Sequence, residues 1–234
     1  MKKDFLLVGN FKNNMVDAKE YQSNFGSAKQ TNVIVCPNFC EIASFEILKQ
    51  NGIRLGAQNV SQFASGSHTA EITTEMLKKY GADFCIVGHS ERRKDFAETH
   101  IAINQKLMLL QKADITPILC VGENVSEDVA QFDWAKQTVT EQLGSELLNV
   151  DKSNLIVAYE PVWAIGTGKV ADNDYISKIC EYIKQQFGIK TVLYGGSVNA
   201  DNVGEIAKIN SVDGVLIGKA SLDAKNIVKM QQKV

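Results

Sequence analysis

The sequence predicts a single (β/α)8 barrel over residues 1–234, and three observations support this fold class. Apolar runs of strand length recur eight times along the chain. Most of these runs are continuous rather than alternating, which is typical of parallel strands covered on both faces. The stretches between them have a helical spacing of apolar residues, and each repeat takes about 30 residues, the length that a strand-helix-strand connection needs. Eight such units favour a closed barrel over an open doubly wound sheet.

The composition describes a globular protein and excludes several functional classes. Hydrophobic residues make up 44% of the chain and charged residues 22%. A formal net charge of −2, without a long basic run, disfavours nucleic acid or an anionic membrane as a partner. No run of 18 apolar residues and no signal-peptide pattern is present, so we expect a cytoplasmic protein. The five cysteines are an odd number without metal-ligand spacing, and the three histidines are scattered, so we expect reduced thiols and neither metal nor cofactor.

The eight apolar runs predict where functional side chains should lie. The predicted strands are residues 4–8, 33–36, 53–57, 84–87, 117–121, 155–158, 191–194 and 215–217. Helical spacing is seen in the segments containing Ile42, Phe45, Leu48 and Lys49, and Ile101, Leu107 and Leu110. Helices are predicted to stop at Gly52, Gly81 and Gly188. Because the active site of such a barrel lies at the C-terminal strand ends, functional residues should follow each apolar run.

The stretch after the sixth predicted strand turns from a buried run into a carboxylate and then a loop. Glu160 stands where the strand ends, and Pro161 follows it directly. Three small residues, 166–168, are suited to a hinge. A carboxylate beneath a hinged apolar flap suits proton removal away from water. The alternative is a partly exposed strand-end glutamate before an ordinary turn.

The first and fourth predicted strands end in polar clusters. Lys12 suits an anionic substrate or a developing negative charge, although a solvated surface lysine is the alternative. Ser90 is predicted to cap a helix, which places His89 at the helix start, where the positive end disfavours a protonated imidazole. A neutral histidine that donates to a carbonyl oxygen can act as an electrophile, whereas the alternative is a histidine satisfied by backbone. Glu91 either complements the helix dipole or pairs with Lys12.

The remaining strand ends predict an anion site and two supporting residues. Cys120 is expected to pack rather than to act as a nucleophile, because no basic group is adjacent in sequence. Glu123 is a candidate anchor for a neighbouring loop. Glycines follow the seventh and eighth strands, and a short helix begins near Gly218. Such loops let backbone N–H groups approach an anion, and barrels of this kind place phosphate there, although tight turns also use glycine.

A base, an electrophile, a cation and a phosphate anchor together suit proton transfer next to the carbonyl of a small phosphorylated sugar. Seven stretches closely resemble the triosephosphate isomerase family, and they cover the chain from the first strand to the last helix. The two most specific are Gly88–Arg93 and Tyr159–Lys169. The others are Gly9–Lys12, Gly56–Asn59, Leu119–Glu123, Tyr194–Val198 and Asp213–Leu222.

The resemblance implies interconversion of dihydroxyacetone phosphate and glyceraldehyde 3-phosphate, in glycolysis and gluconeogenesis, without metal or cofactor. It implies that Glu160 is the base and that His89 polarises the carbonyl and relays protons between the oxygens of an enediol. Lys12 and Asn10 would hold and stabilise the anion. Glu91, Ser90, Tyr194 and Cys120 would support these groups.

The resemblance also implies how phosphate and the flap are held. Phosphate should lie on the backbone of Gly166, Ser197, Gly218 and Lys219. Tyr194 and Ser197 would latch the closed flap, and Glu123 would meet Trp163 in one position of the flap.

Three positions depart from the family pattern. Phe11 stands where a tryptophan is frequent, and Lys219 replaces a common second glycine while keeping its backbone donor. Ala70 occupies a usual glycine position in the segment Gly66–Glu71. In the family this loop enters the neighbouring subunit, where Thr69 would approach the partner's Lys12, so a homodimer is implied.

Two other functions remain open from the sequence. One is a phosphate-binding barrel isomerase or lyase that acts on a larger sugar phosphate, and the flap disfavours it because it suggests a small enclosed substrate. The other is a catalytically silent phosphate-binding protein. The joint presence of Lys12, His89 and Glu160 disfavours that function, because a silent relative should have lost at least one of them.

Overall fold

The computed structural model describes residues 4–26, 29–124, 132–164 and 171–234. Eight parallel strands form a closed barrel in sequence order, with β8 paired to β1. The strands are β1 Leu6–Asn10, β2 Val33–Cys36, β3 Arg54–Ala57, β4 Phe84–Val87, β5 Thr116–Val121, β6 Ile156–Tyr159, β7 Thr191–Tyr194 and β8 Gly214–Ile217. The predicted (β/α)8 fold class is therefore confirmed.

Helices follow the strands on the outside of the barrel. The α-helices are α1 Ala18–Ser23, α2 Thr74–Lys79, α3 Ser90–Asp95, α4 His100–Lys112, α5 Phe132–Glu146, α6 Asn173–Phe187, α7 Val203–Ala207 and α8 Ala224–Gln231. Short 3-10 helices run over Ser44–Asn51, Val162–Ala164 and Lys219–Leu222. Among the described helices, none is long and apolar enough to cross a membrane.

The alternation of side chains along each strand explains why the apolar runs are continuous. Val8 and Ile34 are paired across β1 and β2, and both belong to a buried cluster inside the barrel. Their neighbours Leu7 and Val33 belong to the larger cluster between the strands and the helices. A fully buried aliphatic side chain contributes about 1.5–3 kcal/mol relative to an exposed one, so this pattern sets the register of each strand.

Several boundaries differ from the predicted ones. β1 begins and ends two residues later than the predicted 4–8, so Asn10 lies on its last rung, opposite Cys36. The segment with Phe45 and Leu48 forms a 3-10 helix. In α4 the buried face is Ile103, Leu107 and Leu110, whereas Ile101 is 72% exposed. The three predicted stops, Gly52, Gly81 and Gly188, all have the positive φ expected of a helix end.

Candidate active site

The end of β1 carries a strained lysine. Lys12 has a φ of 51°, in the left-handed region, which costs a non-glycine residue about 1–2 kcal/mol. The Lys12 N–H donates to Oδ1 of the buried Asn10 at 3.0 Å. Gln58, which follows β3, donates its Nε2 to the carbonyls of Lys12 (2.8 Å) and Cys36 (3.0 Å). These contacts hold the strained backbone, and the Lys12 ammonium donates to Glu91 Oε1 at 2.5 Å.

Gln58 was not predicted to have a functional role. It lies in one of the stretches that resemble the family, directly after the third strand, and that strand-end position is the signal that pointed to it. The ion pair of Lys12 with Glu91 is one of the two alternatives that the sequence left open for Glu91.

His89 itself caps α3, so the prediction of Ser90 as the cap is wrong by one residue. His89 has extended backbone (φ −55°, ψ 143°), and Ser90 is the first residue of the helix. The ring nitrogen Nδ1 accepts the N–H of Glu91 at 3.3 Å and takes the part usually played by a hydroxyl oxygen. An Nδ1 that accepts from backbone leaves the ring hydrogen on Nε2.

Glu160 follows β6 and is 3% exposed, so the alternative of a partly exposed glutamate is wrong. Its Oε1 lies 3.3 Å from His89 Nε2. The absent side chain of Gly195 makes room for it, because a Cβ there would lie 2.8 Å from Glu160 Cγ. The structure therefore brings the predicted base and the predicted electrophile into direct contact.

The contact between Glu160 and His89 governs their pKa values. Burial raises the pKa of Glu160, but His89 and then Lys12 lower it by more, so the net pKa is below the ordinary value. Burial lowers the pKa of His89, but the carboxylates of Glu160 and Glu91 together raise it by more, and the net pKa is above the ordinary value. The carboxylate of Glu160 thus opposes the neutral ring that the helix start favours, whereas the Glu91 N–H donated to Nδ1 supports it.

The loops after β7 and β8 share one cavity with these groups. The cavity has a volume of about 680 Å³, and its lining includes Asn10, Lys12, His89, Glu160, Ser197, Gly218 and Lys219. Lys219 opens the 3-10 helix after β8 without a positive φ, so the side chain at this usual glycine position introduces no left-handed strain. Gly166, also predicted to hold phosphate, lies outside the described residues, as does the rest of 165–170.

Two side chains of β7 and its loop hold the residues on either side of 165–170. Ser197 Oγ donates to the carbonyl of Ala164 at 2.6 Å. The Ala171 N–H donates to the hydroxyl of Tyr194 at 3.2 Å. These contacts attach both flanks of the flap segment to the β7 side of the cavity.

Glu123 and Cys120 follow the sequence predictions. Glu123 is fully buried and accepts from Trp163 Nε1 at 3.2 Å, which confirms the expected meeting of these residues. It also accepts from the hydroxyls of Tyr159 (3.0 Å) and Tyr175 (3.1 Å). Cys120 packs inside the barrel, and burial together with the charge of Glu160 raises the pKa of its thiol. A thiol held in its neutral form is a poor nucleophile.

Comparison with known proteins places the chain in one family. The family model described as Triosephosphate isomerase matches residues 5–234. The triosephosphate isomerase of Prochlorococcus marinus (strain MIT 9301) is 37% identical over 235 residues, which cover 96% of this chain and 97% of that protein. The enzyme of the same name from Mesomycoplasma hyopneumoniae (strain 232) is 38% identical over 239 residues, with 96% and 97% coverage. The chain therefore belongs to the triosephosphate isomerase family, whose members are isomerases that interconvert triose phosphates in glycolysis without a cofactor.

Proposed function

We propose that the chain interconverts dihydroxyacetone phosphate and D-glyceraldehyde 3-phosphate through an enediol or enediolate, with Glu160 as the base. One observation carries this proposal: the buried carboxylate of Glu160 lies 3.3 Å from His89 Nε2, in the cavity that Lys12 and both glycine loops also line. The same reaction serves glycolysis and, in reverse, gluconeogenesis.

Glu160 is suited to take the proton from the carbon next to the carbonyl. Its lowered pKa keeps it ionised at neutral pH in the free protein. When the substrate carbon takes the place of His89 beside the carboxylate, the attraction to the imidazole weakens while burial still raises the pKa. The carboxylate then becomes a stronger base at the moment when it faces the proton.

His89 is suited to polarise the substrate carbonyl once Glu160 has turned away from it. Burial lowers the pKa of His89 and the Glu160 carboxylate is the main cause that raises it, so once that carboxylate turns away, burial and Lys12 favour the neutral ring against Glu91 alone. The Nε2–H can then donate to the carbonyl oxygen and relay protons between the two oxygens of the enediol. The Lys12 ammonium, with Asn10 beside it, stabilises the negative charge that develops on these oxygens.

The phosphate group is proposed to lie at the other end of the cavity. Ser197, Gly218 and Lys219 line it there, and backbone N–H groups in such loops bind oxyanions. Gly166 is proposed as a further donor. Tyr194 and Ser197 hold the flanks of its segment, at Ala171 and Ala164.

The test is exchange of solvent deuterium into dihydroxyacetone phosphate, together with a coupled isomerase assay, for the wild type and for Glu160→Gln. Because loss of a general base costs about 10²–10⁴-fold in rate, Glu160→Gln should lose most activity with its circular dichroism spectrum unchanged. Glu205→Gln is the matched control, since Glu205 lies on α7 and pairs with Lys208 at the surface. Wild-type rates in Glu160→Gln, or a wild type that binds phosphate but exchanges no hydrogen, would refute the proposal.

We further propose a homodimer and a cytoplasmic location. The segment 63–71, which includes Thr69, is exposed along its length, and Met15, three residues after Lys12, is 85% exposed. These surfaces support the contact that the resemblance implies between the Thr69 loop and the partner's Lys12 region. All five cysteines are free thiols, and four of them are buried, which suits a reducing compartment.

A further inference from the structure

We propose that Gln142 is a positioning residue for the base, because it clamps the backbone of Gly122, on which the backbone of Glu160 rests. This inference depends on the proposed role of Glu160. Gln142 lies on α5, outside the barrel, and its side chain reaches the C-terminal end of β5. Gln142 was not predicted to have a role, because nothing in the local sequence pattern of α5 distinguishes it from a surface glutamine.

Gln142 contacts both backbone groups of Gly122. The Gly122 N–H donates to Gln142 Oε1 at 2.9 Å, and Gln142 Nε2 donates back to the Gly122 carbonyl at 3.2 Å. β5 ends at Val121, so Gly122 lies beyond the strand. One buried side chain therefore satisfies both backbone groups of this residue and fixes its orientation.

Gly122 in turn contacts the backbone of Glu160. A Cβ on Gly122 would lie 1.9 Å from the carbonyl oxygen of Glu160, so the backbone of Glu160 rests directly on Gly122. The residues on either side of Gly122 also form backbone hydrogen bonds with the segment that contains Glu160. The Glu160 N–H donates to Val121 O at 2.7 Å, and the Val162 N–H donates to Glu123 O at 3.1 Å. A shift of Gly122 must therefore shift the backbone from which the Glu160 side chain extends.

A shift of the Glu160 backbone should affect catalysis more than substrate binding. Displacing a reacting group by about 1 Å can cost about 10²-fold in rate. The predicted phosphate residues Ser197, Gly218 and Lys219 belong to the loops after β7 and β8, which Gln142 does not hold. Loss of the clamp should therefore lower kcat and leave KM and phosphate affinity nearly unchanged.

The chain offers a matched control in Gln111. Gln111 Oε1 accepts the Asp151 N–H at 3.1 Å, and its Nε2 donates to the Asp151 carbonyl. This is the same amide clamp on a single backbone residue, but Asp151 precedes β6, at the barrel end opposite to Glu160. Gln111→Met thus removes the same pair of hydrogen bonds away from the catalytic face.

The experiment compares kcat, KM and inhibition by inorganic phosphate in the wild type, Gln142→Met, Gln111→Met and Glu160→Gln. We expect kcat to fall about 10-fold or more in Gln142→Met, with KM and phosphate inhibition nearly unchanged, because the loss is one of alignment. Gln111→Met should keep the wild-type kcat. Gln142→Glu keeps the acceptor for the Gly122 N–H and should lie between the wild type and Gln142→Met, and it is the variant to read if Gln142→Met does not fold.

Three results would overturn the inference. The first is a wild-type kcat in a folded Gln142→Met, or in Gln142→Glu if only that variant folds. The second is a kcat that falls equally in Gln111→Met, and the third is a weakening of phosphate inhibition in step with the loss of kcat. Failure of the proposed function is distinguishable, because it would show as wild-type activity in Glu160→Gln, whereas failure of the Gln142 inference alone leaves Glu160→Gln inactive.

Discussion

At the scale of single residues, Lys12 and Ala70 both have a left-handed backbone conformation, but they differ in the hydrogen bonds that maintain it. Lys12, with a φ of 51°, is held by hydrogen bonds from its own N–H to Asn10 and from Gln58 to its carbonyl. Strain that surrounding contacts maintain in this way is typical of functional sites. Ala70, with a φ of 71°, lies in the exposed segment 63–71 and occupies a position where the family usually has glycine.

We expect Ala70→Gly to stabilise the protein. Glycine takes the left-handed region without the steric cost of a Cβ, so the free energy of unfolding in urea should rise by about 1 kcal/mol. The matched control is Ala113→Gly, at the C-cap of α4, where φ is −94° and alanine is unstrained, so glycine should not raise the stability. An Ala70→Gly variant no more stable than the wild type would show that Ala70 is not strained.

The residues that the sequence could predict are those that directly follow a strand. Lys12, His89 and Glu160 each follow the end of a different strand. Closure of the barrel brings them to one cavity, independently of the lengths and positions of the helices. Gln58 and Gln142 were missed as functional residues because each acts through a side-chain amide on backbone distant in sequence. The N-cap of α3 was predicted one residue too late, at Ser90, because the ring nitrogen of His89 accepts the backbone N–H that a serine hydroxyl usually accepts.

At the scale of elements, Glu123 joins the end of β5 to three other segments. Its buried carboxylate accepts hydrogen bonds from Tyr159 at the end of β6, from Trp163 in the 3-10 helix and from Tyr175 in α6. Burial raises the pKa of Glu123, and these hydrogen bonds oppose that rise. A buried acceptor with several donors ties the flap-bearing segment to the barrel wall.

We expect Glu123→Gln to loosen this junction. Glutamine replaces a charged acceptor with a neutral one, and a hydrogen bond to a charged group contributes about 1.5–3 kcal/mol against about 0.5–1.5 for a neutral one, so the free energy of unfolding should fall by about 1 kcal/mol. Trp163 fluorescence should change as well, because its indole N–H loses a charged acceptor. Tyr175→Phe, which removes only one donor, should cost less. Equal stability of Glu123→Gln and the wild type would contradict this account.

At the scale of the whole molecule, the fold was predictable because continuous apolar strands and intervening helices leave few architectures open. A strand buried on both faces needs helices on its outer face and packed side chains on its inner face. Eight such strands form a closed barrel. Closure is secured by the pairing of β1 with β8 and by the Tyr21 hydroxyl, which donates to the Ser221 carbonyl at 2.8 Å. The apolar pattern did not determine where each strand begins and ends. Each described strand has only four to six residues, so an error of one residue changes the predicted position of a functional side chain.

In the proposed dimer, Met15 should lie at the contact between the two subunits. Met15 is 85% exposed beside the Lys12 loop, and a partner loop inserted there would bury its apolar surface. A charge at this position would be desolvated without a counterion in the dimer, so Met15→Asp should shift the sedimentation equilibrium toward monomer while the wild type remains dimeric. Leu148→Asp, at another apolar side chain that is 62% exposed, should leave the oligomeric state unchanged. A monomeric wild type would refute the dimer, and a dimeric Met15→Asp would exclude Met15 from the interface.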